Sequence, residues 1–514
     1  MAETGRTMTH ASTMAGHGAQ GAAPTIDSIF RANAVRRPDA VALIDPPDRE
    51  TITGQAPRHF TYAQADRAVD AIATRLRQIG LPGGTVVGVQ MPNVVESILT
   101  PLAITRAGMV PAPLPLLWRR ADCVAALSHA GARAIVTCGQ VGETDHAQLA
   151  LEVAAELFPI RVVCGFGCGR ADGIVPFDDC LWTEGDHVAR PSTLRGEHSP
   201  AAVITFDTTT DGPIAVLRDH AQLLAGGMLV QHRAAIQPGA VIVSTIPAAS
   251  FAGMATTILP WLLSGGTLAL HHPFDPDLFG AQVAEHQGHV LIVPEALLPA
   301  LLQSQALDAN RSLQTVIALW RAPERMATSS SWPADAPRLV DVAAFGEAGL
   351  LAEMRPAHGR VSPWPIGNLV ISGNENDVPL GRIAQTGSGT LGLAGALAAM
   401  PMRLYDLEPA EMLEIGTDII DTGYLCRLID DRALAVTAPP AGLINVGGYR
   451  FAMHDLQSRV RDIDSNGVMA AFPHALSGYR LAGHAGNSEI VRTKLEEAGV
   501  NPLISKAFHD RLPS

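Results

Sequence analysis

Aromatic side chains are scarce in this chain, at 5% of residues, and no block of like charges interrupts it. The formal net charge is −13, so a nucleic-acid partner is not expected on electrostatic grounds. Cysteine is also sparse. Of Cys123, Cys138, Cys164, Cys168, Cys180 and Cys426, only Cys164 and Cys168 lie close together, and no second pair completes a zinc-type spacing. They read as reduced, buried thiols in a cytoplasmic protein. There is no G-x-S-x-G elbow and no H-E-x-x-H. Residues 1–24 are small and polar without an apolar core, which reads as a disordered tail and not a signal peptide. Ala234–Phe274 carries no Asp, Glu, Lys or Arg, but Pro238, Pro247, Pro260, Gly253 and Gly265-Gly266 cut it into short pieces. It reads as strand, helix and strand in a large core, with no membrane span.

What is abundant is Ala, Gly, Leu and Val in short apolar runs. Val86–Val89, Val110–Leu114 and Ala132–Thr137 read as buried strands, and Ala63–Gly80, Val94–Gly108 and Asp122–Gly131 as the helices between them. The rhythm returns with strands at Ala201–Phe206, Val241–Ile246, Thr267–His271 and Val290–Val293. Helices are expected over Asp219–Arg233, Ala252–Gly265 and Phe274 to about His289. Such alternation means βαβ units and parallel sheets, an α/β fold. From about Leu369 the texture becomes Gly-rich and β-like, and LINVGGYRF precedes a helix over His454–Asp462.

One segment carries most of the functional signal. Ile204–His220 reads ITFDTTTDGPIAVLRDH, with Thr208, Thr209 and Thr210 in a row before a Gly-Pro turn. Hydroxyls beside a tight turn suit a phosphate-binding loop, although the same residues suit a Thr-rich turn between a buried strand and a helix. The segment resembles the signature loop of the adenylate-forming superfamily, the acyl- and aryl-CoA ligases, which reads roughly T-S-G-T-T-G-x-P-K-G. With Pro213 on the family proline, Thr209 and Thr210 fall on its threonines, Thr208 and Asp211 on glycines, and Ile214 on the lysine. Ile214 supplies no positive charge and Asp211 repels phosphate.

The resemblance covers nearly the whole chain after about residue 25. It implies the adenylate-forming enzyme fold: a large multi-layer α/β domain with parallel sheets and a β-rich subdomain, over 25–424, and a small C-terminal α+β domain over 425–514. The boundary is expected near Tyr424–Arg427. The family's Y-G-x-T-E loop, which stacks adenine and offers a glutamate to Mg²⁺, aligns with Phe345, Gly346 and Glu347 if the loop is two residues shorter. Without a gap, Gly349 takes the glutamate position, and Glu347 then caps the following apolar segment. The ribose-binding aspartate has its nearest counterpart in Asp421, upstream of Thr422-Gly423 instead of after it. Ser250 stands at a histidine position, and Ala438-Pro439-Pro440-Ala441-Gly442 lacks the hinge arginine and aspartate. Gly447, Gly448 and Arg450 resemble the segment that faces the thiol, although Gly-Gly also suits a plain hairpin turn. Lys506 lies where the family has its C-terminal lysine, without the surrounding motif; a solvated helix lysine is the other reading.

Two functions follow from the resemblance. In the first, ATP and Mg²⁺ activate a small carboxylic acid, fatty or otherwise aliphatic, for transfer to CoA or an acyl carrier protein. Thr210 and Glu347 would be catalytic, with Glu347 on the metal, while Thr208, Thr209, Phe345, Gly346, Asp421, Gly447, Gly448 and Arg450 would bind cofactor. In the second, the fold and acyl pocket persist in a catalytically impaired relative that binds acyl-CoA or a similar ligand and acts as a regulatory or scaffold protein.

Overall fold

A computed structural model describes residues 24–169, 171–181, 201–303, 307, 311–329, 331–356, 359–372, 377–402 and 419–509. The expected tail over 1–24 lies outside the described residues except for its last position.

Among the described residues, the apolar runs pair as parallel strands. Val110–Pro113, Val86–Val89, Ala134–Cys138, Val162–Phe166 and Ile174–Pro176 form one five-stranded sheet in that order. An eight-stranded sheet has a parallel centre of Arg338–Ala344, Thr315–Trp320, Val290–Pro294, Val241–Ser244, Thr267–Leu270 and Val41–Ile44, with antiparallel edges. Apart from the edge strand Ile174–Pro176, these parallel strands are mostly buried on both faces, which is why they read as apolar runs. The helix Tyr62–Gln78 begins at a Thr61–Gln64 capping box and buries Ala65, Ala68, Val69, Ile72 and Leu76 along one face. Phe30, Tyr62 and Trp261 pack ring to ring in the core. The Tyr62 hydroxyl and the Trp261 indole N–H both donate to the Gly266 carbonyl, at 2.8 and 3.1 Å.

Three expectations change. The threonines do not lead straight into a helix: Ala201–Thr209 turns at Thr210-Asp211 and pairs antiparallel with a further strand, Gly212–Asp219. The helix then starts at His220, capped by Asp219. The segment Ala252–Gly265 forms two helices, Phe251–Thr256 and Ile258–Ser264. Pro260 explains the break, because its ring clashes with the carbonyl four residues back, at Thr256. The helix expected from Phe274 is delayed to Pro276–Glu285, where Asp275 caps it.

The Gly-rich region forms a six-stranded antiparallel sheet that includes Val378–Gln385, Thr390–Ala394, Ile420–Asp430 and Ala433–Ala438. The expected boundary at Tyr424–Arg427 falls inside Ile420–Asp430. The change of sheet comes later, across Pro439–Gly442: Leu443–Val446 begins a separate four-stranded antiparallel sheet with Tyr449–Ala452, Gly478–His484 and Val468–His474. The helices Met453–Ile463 and Ser488–Glu497 bury Leu456, Val460, Val491 and Leu495 into this unit's own core. All six cysteines are free, and no described helix is long and apolar enough to cross a membrane.

Close packing of the helices His220–Ala234 and Ile258–Ser264 depends on glycine. A Cβ at Gly227 would collide with the Cβ of Leu259, and its Cγ would lie at 2.9 Å. Helix propensity alone favours Gly227→Ala by about 1 kcal/mol, but overpacking costs about 1–3 kcal/mol. The expected result in chemical denaturation is net destabilisation; a stabilised variant would mean that the two helices separate freely here.

Candidate functional site

In open α/β sheets, ligands bind beyond the carboxyl ends of the parallel strands. Four strands of the eight-stranded sheet bring chemistry there. Val241–Ser244 leads to Ser250 and Phe251, Val290–Pro294 to Glu295, Thr315–Trp320 to Arg321, and Arg338–Ala344 to Phe345, Gly346 and Glu347. The threonine hairpin and the small unit's Leu443–Val446/Tyr449–Ala452 hairpin meet there through Asp207 and Arg450.

Glu347 is 4% exposed and its carboxylate is already engaged. Oε2 accepts from the Thr205 hydroxyl at 2.6 Å, from the Phe251 backbone N–H at 3.0 Å and from Arg218 Nη1 at 3.3 Å. Arg218 Nη2 also donates to the Glu347 carbonyl, and its guanidinium lies 3.8 Å from the Phe251 ring centroid. Burial pushes the Glu347 carboxyl up, opposed by Arg218, and pushes Arg218 down to about 10. Phe251 is the first residue of its helix. Glu347 thus caps a helix distant in sequence and not the segment that follows it, which corrects that expectation.

Asp207, which the sequence did not single out, closes the other half of the site. Both its oxygens accept from Arg450 Nη1 at 2.9 Å, and Oδ2 also accepts from the Glu347 backbone N–H at 2.8 Å. Arg450 Nη2 donates to the Tyr424 hydroxyl at 2.6 Å, and Tyr424 meets Phe345 edge to face with centroids 5.4 Å apart. Gly346 adopts φ +58°, and a Cβ there would run into Asp207 and Arg450. Phe345, Gly346, Glu347 and Arg450 are therefore brought together. The aromatic packs on Tyr424, and the space above the glycine holds an ion pair.

The remaining expected residues contribute less. Thr208 donates its backbone N–H to Asp207 Oδ1 at 2.8 Å, and the Thr209 hydroxyl donates to the Gly212 carbonyl at 3.0 Å. Thr210 is exposed at the hairpin tip, beside Gly442. Asp421 accepts from the Gly423 backbone N–H at 2.8 Å and has no bond to the cleft residues among the described residues. Gly447 and Gly448 form a two-residue turn at φ +58° and +86°, the hairpin reading of that pair. Gly448 lies against the stem of Arg321, whose Nη2 donates to the Ser250 hydroxyl oxygen at 2.9 Å. Glu295, with Arg321 and Arg325 as its nearest cations, is pushed up to about 7 by burial. The chain's two lysines, Lys494 and Lys506, are both exposed on the small unit, so the positive charge in the cleft is arginine.

These donors do not fit a resident Mg²⁺. That ion prefers octahedral oxygen coordination and keeps several waters. Here both carboxylates, Asp207 and Glu347, are neutralised by guanidinium, and Thr210 sits at the exposed tip. Among the described residues, no group of three His, Cys, Asp or Glu side chains is arranged for a metal ion. A nucleotide meets the same obstacle in this closed arrangement, since Tyr424 covers Phe345 and the Asp207–Arg450 pair fills the space at Gly346.

Removing one member of a buried pair strands the other, at about 3–5 kcal/mol, whereas replacing both with apolar groups is often neutral. Arg218→Met alone is thus expected to destabilise the fold strongly, and Arg218→Met with Glu347→Leu to recover most of the loss in urea unfolding. If the double variant is as unstable as the single one, the pair is not what holds these groups.

A model of the family described as AMP-binding enzyme matches residues 30–362. A 2-hydroxy-7-methoxy-5-methyl-1-naphthoate–CoA ligase from Streptomyces carzinostaticus is 25% identical over 86% of this chain and 79% of its own length. Human long-chain fatty acid transport protein 1 is 25% identical over 57% of this chain, which spans only 44% of that protein. The match to cyclosporin synthetase from Tolypocladium inflatum spans 2% of that protein. Among solved structures, the amide bond synthetase McbA from Marinactinospora thermotolerans superposes with a TM-score of 0.68 at 17% identity, covering 92% of this chain and 94% of that one. The artificially fused adenylation-PCP di-domain NRPS NpsA-ThdA from Klebsiella oxytoca gives 0.63 at 16% identity, covering 92% and 91%. With the strand order, the cleft and a matched segment of this extent, the chain belongs to the AMP-binding family of adenylate-forming enzymes.

Proposed function

We propose that this chain is a member of the family that keeps the acid-binding cleft and has lost MgATP-dependent adenylation by the family's usual route. It would bind a carboxylic acid or an acyl-CoA-like ligand and act as a regulatory or scaffold protein. The observation that carries this reading is the pairing of both cleft carboxylates with arginine, Glu347 with Arg218 and Asp207 with Arg450. A carboxylate held by a guanidinium is not free for a metal, and Asp207 stands at the family's serine position, where it opposes phosphate. Loss of one oxyanion donor in other enzymes costs about 10²–10³ in rate; here the loop lysine, the ribose aspartate and the hinge residues are missing together. Cytoplasmic residence belongs to the same reading, supported by six unpaired cysteines.

The second reading is an acid–thiol ligase with a rebuilt site, acting on a fatty or other aliphatic acid with CoA or a carrier thiol. Its support is the match to the naphthoate–CoA ligase over 86% of the chain, and the Gly447-Gly448 turn directed at the cleft. It requires Arg450 to leave Asp207 as the small unit swings about Pro439–Gly442, which we take as the domain junction in place of residue 424.

Calorimetry with MgATP, alone and with a panel of fatty and aryl acids, separates the two when pyrophosphate release is followed alongside. We expect no MgATP binding at millimolar concentration and no pyrophosphate. Saturable binding with acid-dependent pyrophosphate would reject the first reading, and Glu347→Ala should then abolish the release.

A further inference from the structure

Two of the arginines at the cleft are spoken for. Arg218 is held by Glu347 and Arg450 by Asp207. Arg321 differs. It directly follows the parallel strand Thr315–Trp320, which lies between the strands that lead to Glu295 and to Phe345–Glu347. Among the described residues, its guanidinium makes one hydrogen bond, to the Ser250 hydroxyl at 2.9 Å, and no carboxylate lies within ion-pair distance. Ser250 Oγ also accepts from the Gly253 N–H at 3.0 Å, which fixes the oxygen that braces the arginine. The remaining Arg321 nitrogens are not sealed: they are absent from the buried nitrogen and oxygen atoms without partners, where Arg49 Nε and both Glu324 oxygens are found.

A guanidinium presents five N–H donors in a rigid fork that matches carboxylate and phosphate. Four of them have no protein partner among the described residues and, not being sealed, are open to a ligand. The surrounding charges leave Arg321 as the net cation. Glu347 and Asp207 act on it but are neutralised by their own arginines, and burial favours the neutral form of Glu295 and Glu324. Tyr449 also faces it; burial pushes that phenol up to about 12, so it stays neutral. The small unit meets the stem of the arginine. Gly448, at φ +86°, would place a Cβ 3.0 Å from Arg321 Cδ, so only glycine lets the turn close here.

We propose that Arg321, braced by Ser250, is the ligand-binding cation of this cleft: it takes an oxyanion, carboxylate or phosphate, in paired N–H···O geometry without a divalent metal. The inference rests on the reading that the chain binds an acidic ligand, and it names the group that would do so.

The test uses the full-length chain in EDTA. Titration calorimetry with octanoate and benzoate as carboxylates, inorganic pyrophosphate as the phosphate probe and benzamide as the neutral control identifies the oxyanion class. We expect at least one oxyanion to bind and benzamide not to. Arg321→Ala should weaken that binding by about tenfold or more, as loss of a charge-assisted pair does. Ser250→Ala, which keeps the cation and loses its brace, should weaken it less and guards against a misfolded arginine variant. Unchanged affinity in Arg321→Ala overturns the proposal, as does failure of every oxyanion to bind the parent. If the parent binds MgATP and releases pyrophosphate, while Arg321→Ala selectively loses carboxylate affinity, the non-adenylating reading fails and this assignment stands.

Discussion

The Arg450–Asp207 ion pair is the contact on which the closed site depends. One guanidinium nitrogen spans both oxygens of Asp207, and the other reaches the Tyr424 hydroxyl. Through Asp207 the pair also holds the Glu347 backbone N–H, and through Tyr424 it seats Phe345. The small unit's hairpin, the threonine hairpin and the Phe345–Glu347 loop are therefore fixed by one charged group. The positive φ at Gly346 belongs to the same arrangement, because the pair occupies the space a side chain would need.

This arrangement exchanges mobile charge for fixed charge. A site that handles nucleotide phosphates keeps its carboxylates free for a metal and its cations free for phosphate. Here Asp207 and Glu347 are matched to arginines, and Arg321 at the strand ends bonds a hydroxyl and no carboxylate among the described residues. Buried ion pairs often contribute little net stability, since desolvation offsets their attraction. Their role in this fold is positional: Glu347 with Arg218 pins the start of the Phe251–Thr256 helix, and Asp207 with Arg450 pins the small unit's hairpin on the threonine hairpin.

The fold was legible because its strands are apolar on both faces and its helices carry clear stops. Val241–Ser244, Thr267–Leu270 and Val290–Pro294 read as buried parallel strands once the alternation with helices was seen, whereas Thr315–Trp320 was not singled out. The second strand of the threonine hairpin was hidden, because Gly212–Asp219 follows a Gly-Pro step that reads as a turn into the helix. The site was legible only as a frame. Phe345, Gly346, Glu347, Gly448 and Arg450 do converge, but their partners do not lie near them in sequence. Asp207 and Arg450 are 243 positions apart, and Arg218 and Glu347 are 129 apart. A weak local signal existed for two of them: Arg218 interrupts the apolar run Ala215-Val216-Leu217, and Arg321 directly follows six buried strand residues. A charge at such a position needs either a buried partner or a ligand. The roles expected for Thr210 and Asp421 came from motif position alone. In the fold, the first is at an exposed tip and the second turns onto its own backbone.

The central claim, that the small unit is latched to the threonine hairpin through Arg450 and Asp207, is tested most directly by a double-mutant cycle on that pair. Asp207→Ala, Arg450→Ala and the double variant would be unfolded in urea beside the parent. The closed arrangement predicts a coupling energy of about 0.5–3 kcal/mol, as for charged groups in direct contact. Strictly additive effects of the two substitutions would mean that the pair does not form in solution, and the closed site would have to be abandoned.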